Sequence, residues 1–107
     1  PPFTYQALIH AEAKSLDQAI RFLSSLKDRL RAIGHITQGL RVYDPVPRNM
    51  VKVAGVERAQ LVVESDDRKQ LQVALEVIDR LLRAESQGRI SKSGRIRWLI
   101  ERDPISV

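Results

Sequence analysis

The sequence predicts a two-layer α+β sandwich, in which two amphipathic helices cover one face of an antiparallel sheet and leave the other face open. Two observations support this class. Several segments alternate polar and apolar residues with a period of two, which is typical of strands that bury one face. Two longer segments repeat apolar residues at every third or fourth position, which is typical of helices that bury one side.

The first two predicted elements are a strand over residues 4–13 and a helix that begins after Ser15. Ser15 and Gln18 match a capping box, in which side chains satisfy the free amides at a helix start. Gly34 follows the last apolar position, where a left-handed cap is favoured. The apolar stripe of the helix consists of Leu16, Ala19, Ile20, Leu23, Leu26, Leu30 and Ile33.

The middle of the chain predicts two further strands, over residues 39–46 and 58–64. Pro45 and Pro47 are expected to end regular pairing of the earlier strand, because proline cannot donate a hydrogen bond to a neighbouring strand. The connection between the two strands, residues 48–56, carries Arg48 and Lys52 and is therefore basic.

A second helix is predicted after Asp67, and a polar loop over residues 84–93 separates it from a final strand within residues 94–104. Trp98 shares its parity with Ile96 and Ile100, so we expect it in the core. The buried stripe of this helix consists of Leu71, Ala74, Leu75, Ile78, Leu81 and Leu82. The simplest topology for this order of elements is the ferredoxin-like β-α-β-β-α-β arrangement.

Length and composition limit the functions that the chain can have. The 107 residues suit a single domain, residues 1–107, and the start at Pro1 suggests a piece of a longer protein. Without cysteine, disulfides and thiolate metal sites are excluded, and no apolar run is long enough to span a membrane. The net charge of +5 is typical of a domain that binds nucleic acid, although a basic surface that is merely solvated would give the same charge.

The outward positions of the strands gather on the open face, where arginines, a tyrosine and amides could bind phosphates and stack one base. Exposed arginines on strands also prevent edge-to-edge pairing, so that explanation stays open. Including the basic connections, the candidate DNA-binding residues are Arg41, Tyr43, Arg48, Lys52, Arg58, Arg89, Lys92, Arg95 and Arg97.

Catalysis has little support in the sequence. His10 and His35 are separated by a whole helix, and neither lies in an arrangement typical of a catalytic triad. The phosphate-binding motif G-x-x-x-x-G-K-[ST] does not occur. We therefore expect no enzymatic activity, no metal and no cofactor in this chain alone.

The start of the second helix carries a different candidate site. Arg68, Lys69 and Gln72 form an exposed ridge that could hold an acidic or C-terminal peptide, since arginine pairs with carboxylates through two hydrogen bonds. A solvated helix face would show the same pattern.

Several motifs, taken together and in order, resemble the C-terminal domain family of PriA, a bacterial primosomal helicase that restarts replication. The motifs are residues 42–47, residues 67–72 and above all residues 97–105, Arg-Trp-Leu-Ile-Glu-Arg-Asp-Pro-Ile. The similarity covers essentially the whole chain. Asp44 departs from the family, which more often has glycine before the proline.

The resemblance implies a cytoplasmic, nucleoid-associated bacterial protein that binds single-stranded and forked DNA. It also implies contact with primosome proteins, with a helicase core in the same chain, and with the acidic tail of single-stranded DNA-binding protein. Arg68 and Gln72 match the positions that contact this tail in the family, with Lys69 beside them. ATP, magnesium and zinc would belong to the full-length helicase and lie outside this chain.

The sequence leaves three functions open. The first is a DNA-binding and protein-docking domain of a replication-restart helicase. The second is a protein-interaction module without direct DNA binding, and the third is an RNA-binding domain of ribosomal type, because one fold serves many functions.

Overall fold

A computed structural model describes residues 4–34, 39–48, 55–88 and 96–102. The two helices pack on one face of a sheet and leave its other face open, so the predicted α+β sandwich is confirmed. The elements, in chain order, are β1 (Tyr5–Ala13), α1 (Leu16–Ala32), β2 (Leu40–Val42), β3 (Val46–Pro47), β4 (Glu57–Ser65), α2 (Arg68–Gly88) and β5 (Arg97–Arg102).

The sheet is antiparallel and has the strand order β2-β4-β1-β5, with β3 also paired to β4. Strand β1 is central and pairs with β4 along its whole length, from Tyr5 opposite Ser65 to Ala13 opposite Glu57. If β2 and β3 are taken together as one edge strand, the order is that of the predicted ferredoxin-like topology.

The core lies between the sheet and the helices and contains the apolar positions that periodicity selected. Small residues alternate along β1 and leave room for the larger side chains of the helices. The largest fully buried apolar side chains are Ile9, Leu23, Leu26, Leu30, Leu61, Val63, Ile78 and Leu82. Within the described ranges, no helix is both long enough and apolar enough to cross a membrane.

Helix α1 begins as the sequence predicts, since Ser15 Oγ accepts a hydrogen bond from the Gln18 amide at 3.2 Å. Its end differs from the prediction of a left-handed cap at Gly34. The last turn closes at Ile33, whose amide donates to the Leu30 carbonyl at 3.1 Å, so no left-handed residue is needed there. In the described part of the chain, the glycine with positive φ nearest to this point is Gly39, at 75°.

The edge strand corrects the prediction that the prolines end its pairing. Strand β2 stops at Val42, but β3 resumes pairing with β4, with Val46 opposite Gln60 and Pro47 opposite Ala59. Val42 pairs with Val63, so the edge strand holds one residue more than β4 over this span, which is the pattern of a bulge. An edge position tolerates Pro47 because only one side of the strand needs donors.

The second helix is longer than the sequence suggested. The polar loop predicted from Ala84 is wrong over its first part, because α2 continues to Gly88. Glu85, Ser86 and Gln87 are polar but not helix-breaking, so polarity alone was a poor guide to the helix end. In β5, Trp98 is half-buried and packs against the core with Ile96 and Ile100, as their shared parity predicts.

Candidate nucleic-acid interface and peptide-docking ridge

The strand register arranges the side chains of the open face in rows that cross the sheet. In one row, Arg97 of β5 lies opposite Glu12 of β1, and Glu12 lies opposite Arg58 of β4. Arg48 extends this row at the edge, because its amide donates to the Arg58 carbonyl at 3.0 Å. We call these four residues the basic row.

The basic row carries an excess of positive charge. Arg58 Nε donates to Glu12 Oε1 at 2.9 Å, so one guanidinium group is paired within the row. Arg97 is exposed and makes no ion pair with any residue that the structure describes. Three guanidinium groups therefore face a single carboxylate, which leaves donors for anionic oxygens.

The opposite end of the open face forms an acidic row. Glu64 accepts hydrogen bonds from Gln6 Nε2 at 2.6 Å, from Arg41 Nε at 2.7 Å and from the Tyr43 hydroxyl at 2.9 Å. Arg41 also donates from Nη2 to Asp66 Oδ1 at 3.0 Å. We define the acidic row as Gln6, Arg41, Glu64 and Asp66.

Charge in the acidic row is balanced differently from charge in the basic row. The hydrogen bonds from Gln6, Arg41 and Tyr43 hold the pKa of the Glu64 carboxyl below its ordinary value. The carboxylates of Asp66 and Glu64 raise the pKa of Arg41. One cation here faces two anions, so Arg41 has less capacity for a phosphate than the sequence suggested.

Between the two rows lies a partly apolar centre around His10. Parity correctly placed this histidine on the open face, but it is only 5% exposed. His10 Nε2 lies 2.7 Å from Glu101 Oε1, and Arg48 Nη1 lies 3.3 Å from His10 Nδ1. Leu99 is the most exposed large apolar side chain in the described part of the chain, at 61%.

The predicted DNA-binding residues thus fall into three groups. The structure brings Arg48, Arg58 and Arg97 together in the basic row. Arg41 and Tyr43 lie at the other end of the same face, where both bind Glu64. The predicted residues that lie outside the described part of the chain are Lys52, Arg89, Lys92 and Arg95.

Sequence reasoning missed the glutamates that organise this surface. Glu12, Glu64 and Glu101 each bind a cation or a histidine on the open face. The signal was available, because Glu64 shares the outward parity of Arg58 in β4, Glu101 that of Arg97 in β5, and Glu12 that of His10 in β1. Their partners depend on register, however, which the pattern did not supply.

The second predicted site lies at the start of α2. Arg68, Lys69 and Gln72 are all exposed, and the side chains of Arg68 and Gln72 make no hydrogen bond or ion pair with another described residue. Arg68 and Gln72 are four residues apart, so they are neighbours on one face of the helix. Asp67 caps the helix by accepting from the Lys69 amide at 3.0 Å.

An exposed apolar residue, which the sequence analysis did not single out, lies beside this ridge. Val73 is 49% exposed and follows Lys69 by one helical turn. Val73 lies outside the buried apolar stripe of α2, and an apolar residue at such a position could have been predicted to be exposed. Elsewhere in the described residues, no group of three histidine, aspartate or glutamate side chains is arranged to hold a metal ion.

The fold and the open face define an α+β domain of ferredoxin-like kind whose sheet surface is basic at one end. Solved structures share this fold. A de novo designed protein, Foldit4, covers 94% of this chain and 99% of its own, with a TM-score of 0.56 and 13% identity. A dimeric ferredoxin-like protein from an uncultured marine organism covers 95% of both chains, with a TM-score of 0.54 and 16% identity.

Sequence comparison identifies the family. Residues 1–105 match the family described as the primosomal protein N C-terminal domain, and the chain belongs to it. A relative, replication restart protein PriA of Haemophilus influenzae, is 36% identical over 104 residues. That match covers 97% of this chain but 13% of the relative. The family membership inferred from the motifs is confirmed, and the chain corresponds to a small C-terminal domain of that family rather than to the whole relative.

Proposed function

We propose that this chain is a DNA-binding and protein-docking domain that acts in replication restart. The basic row is the observation that carries the DNA part, because three guanidinium groups there face one carboxylate and Arg97 has no ion pair with a described residue. The family and the name of the relative support the setting.

The basic row suits the backbone of a nucleic acid rather than its bases. Neighbouring strands lie about 4.8 Å apart, so the backbones at Arg58 and Arg97, two strands apart, are separated by about 10 Å. Such a spacing allows contact with separate phosphates of one strand. Guanidinium groups bind phosphate oxygens through charge-assisted hydrogen bonds that carry no sequence information.

The rest of the open face offers limited contact to bases. Tyr43, which directly follows β2, is 45% exposed and its hydroxyl reaches Glu64 on the open face, so its ring can stack one base. Leu99 and Val46 add exposed apolar area. We therefore expect binding of single-stranded and forked DNA with little sequence preference.

Fluorescence anisotropy with labelled single-stranded and forked DNA tests the proposal over a range of salt concentrations. Phosphate contacts predict that log K falls linearly with log salt. If Arg58 and Arg97 each contact a phosphate of a single strand, the double variant R58A/R97A should lose about 1.4 from the magnitude of that slope.

Two variants provide matched controls. R21A removes an exposed arginine from α1, on the helix side of the sheet, and should leave both affinity and slope unchanged. R41A removes an arginine from the acidic row and should change the slope less than R97A does. An unchanged slope in R58A/R97A, with the fold verified by circular dichroism, contradicts the proposed interface. Tighter binding of RNA than of DNA of the same sequence would favour the ribosomal-type alternative.

The ridge on α2 favours a second function, docking of an acidic peptide. Arg68 and Lys69 supply two exposed cations, Gln72 adds an amide, and Val73 offers an apolar contact beside them. An acidic peptide tail with apolar residues would match this combination. The resemblance to the family makes the tail of single-stranded DNA-binding protein the expected partner.

Calorimetric titration of an acidic tail peptide tests the ridge. R68A should weaken binding by more than R80A, because Arg80 is also exposed on α2 but lies about three turns further along the helix. Equal effects of the two variants on the affinity for the peptide would show that the ridge is a solvated helix face and not a binding site. Three further predictions rest on the family resemblance alone. They are contact with primosome proteins, a helicase core that uses ATP, magnesium and zinc, and a location in the bacterial cytoplasm.

A further inference from the structure

A cavity of about 310 Å³ lies between α1 and β2, away from both sites above. Its described lining consists of Lys27, Arg31, Leu40 and Val42. The two cations are four residues apart on α1, so they form one wall. Leu40 is buried and Val42 half-buried, which makes the other wall apolar.

A carboxylate of the chain itself already binds one of these cations. Lys27 Nζ lies 2.5 Å from Asp44 Oδ1, in the segment between β2 and β3. The lysine side chain is 16% exposed, whereas the aspartate side chain is 88% exposed. Lys27, with a further contribution from Arg31, lowers the pKa of the Asp44 carboxyl. The ammonium group is thus held in place, and its present anion can move aside into solvent.

We propose that this cavity binds a peptide segment that carries a carboxylate next to an apolar side chain. Lys27 and Arg31 take the carboxylate, while Leu40 and Val42 contact the apolar side chain. Asp44 competes for Lys27 and occupies the carboxylate position when no peptide is bound. The proposal is independent of the DNA-binding row and of the ridge on α2.

Both size and charge favour this occupant over a nucleic acid. The volume is at the lower limit of the range of about 300–1,000 Å³ that is typical of ligand pockets, enough for one large side chain. Two cations and one aspartate leave a single excess positive charge, which matches one carboxylate. An apolar wall makes no favourable contact with a phosphate backbone, whereas burial against it stabilises an apolar side chain.

Nuclear magnetic resonance titration of the ¹⁵N-labelled chain tests the proposal with three matched probes. N-acetylphenylalanine has both a carboxylate and an apolar side chain, its amide lacks the carboxylate, and acetate lacks the apolar group. We expect saturable shifts at the amides of Lys27, Arg31, Leu40 and Val42 with the first probe, and much weaker binding of the other two. Equal binding of inorganic phosphate or acetate would show a simple anion site and overturn the proposal.

Variants separate the roles of the two charges. D44N removes the competing carboxylate and should tighten the Kd of N-acetylphenylalanine by roughly two- to fivefold, the strength of an exposed ion pair. K27Q should weaken binding. The controls D17N and R21Q break an exposed ion pair on the same helix, 2.9 Å between Asp17 and Arg21, and should change nothing. If D44N binds no more tightly than D17N, or if no probe shifts the lining amides, the cavity is not such a site.

Discussion

His10 Nε2 and Glu101 Oε1 lie 2.7 Å apart on the open face of the sheet, between the central strand and its neighbour β5. On the other side of the ring, Arg48 Nη1 lies 3.3 Å from Nδ1. Because a guanidinium group can only donate, Nδ1 must accept, and the ring proton lies on Nε2 and is donated to Glu101. The buried histidine therefore links β5 to the arginine at the sheet edge.

This relationship predicts the tautomer of His10. Long-range ¹H–¹⁵N correlation spectra, recorded at a pH where the ring is neutral, should show the proton on Nε2. R48A removes the donor that faces Nδ1, and E101Q removes the carboxylate that accepts from Nε2. Each variant should weaken the preference for the tautomer protonated at Nε2. A ring protonated at Nδ1 in the unchanged protein would contradict the assigned hydrogen bonds.

Glu64 predicts a contribution to stability that depends on pH. Hydrogen bonds from Gln6, Arg41 and Tyr43 lower its pKa in the folded state. Its stabilising effect is therefore fully present above the unfolded-state pKa of about 4.3, and is lost as the pH falls through the lower folded-state value. E64Q should be less stable than the unchanged protein at pH 7, and the difference should narrow below about pH 4.

Urea denaturation at a series of pH values from 7 to 2.5 measures this effect. E76Q is the control, because the Glu76 side chain is exposed on α2 and makes no hydrogen bond or ion pair with any described residue. A constant difference between E64Q and the unchanged protein across the acid range would rule out the role given to Glu64.

The packing of α2 predicts unequal costs for two truncations on the same helix. Ile78 is fully buried, so I78A should lower the free energy of unfolding by about 2–5 kcal/mol through lost apolar contact and a residual cavity. Val73 is 49% exposed, and V73A should change it by less than about 0.5 kcal/mol. Chemical denaturation of both variants measures the difference, and similar costs would contradict the orientation of α2.

The cap of α1 predicts a further loss of stability. Ser15 Oγ accepts from the Gln18 amide, so S15A should destabilise the protein by about 1 kcal/mol. S25A replaces an exposed serine in the interior of the same helix and should be neutral or slightly stabilising, since alanine has the highest helix propensity. A thermal unfolding comparison checks this, and S15A should have the lower Tm of the two.

Much of the fold could be predicted from the sequence because periodicity reflects local geometry. The alternating residues around Ile9 in β1 and Leu61 in β4 identified the buried face of the sheet. The apolar stripes that contain Leu23 in α1 and Ile78 in α2 identified the buried sides of the helices. The candidate site was predicted less completely. Parity placed Arg58 and Arg97 on the open face, but gave no sign that Arg41 would be held by two carboxylates.

The amino-acid sequence by itself determined the order of the elements, the faces that are buried and the family to which the chain belongs. These follow from side-chain spacing and motifs, which are properties of short segments. Only the tertiary structure decided which charges are paired and which are available, because register joins Glu12 to Arg58 and His10 to Glu101 across the sheet. Electrostatic attraction falls with distance, so residues far apart in sequence acquire a role in binding only when folding brings them together.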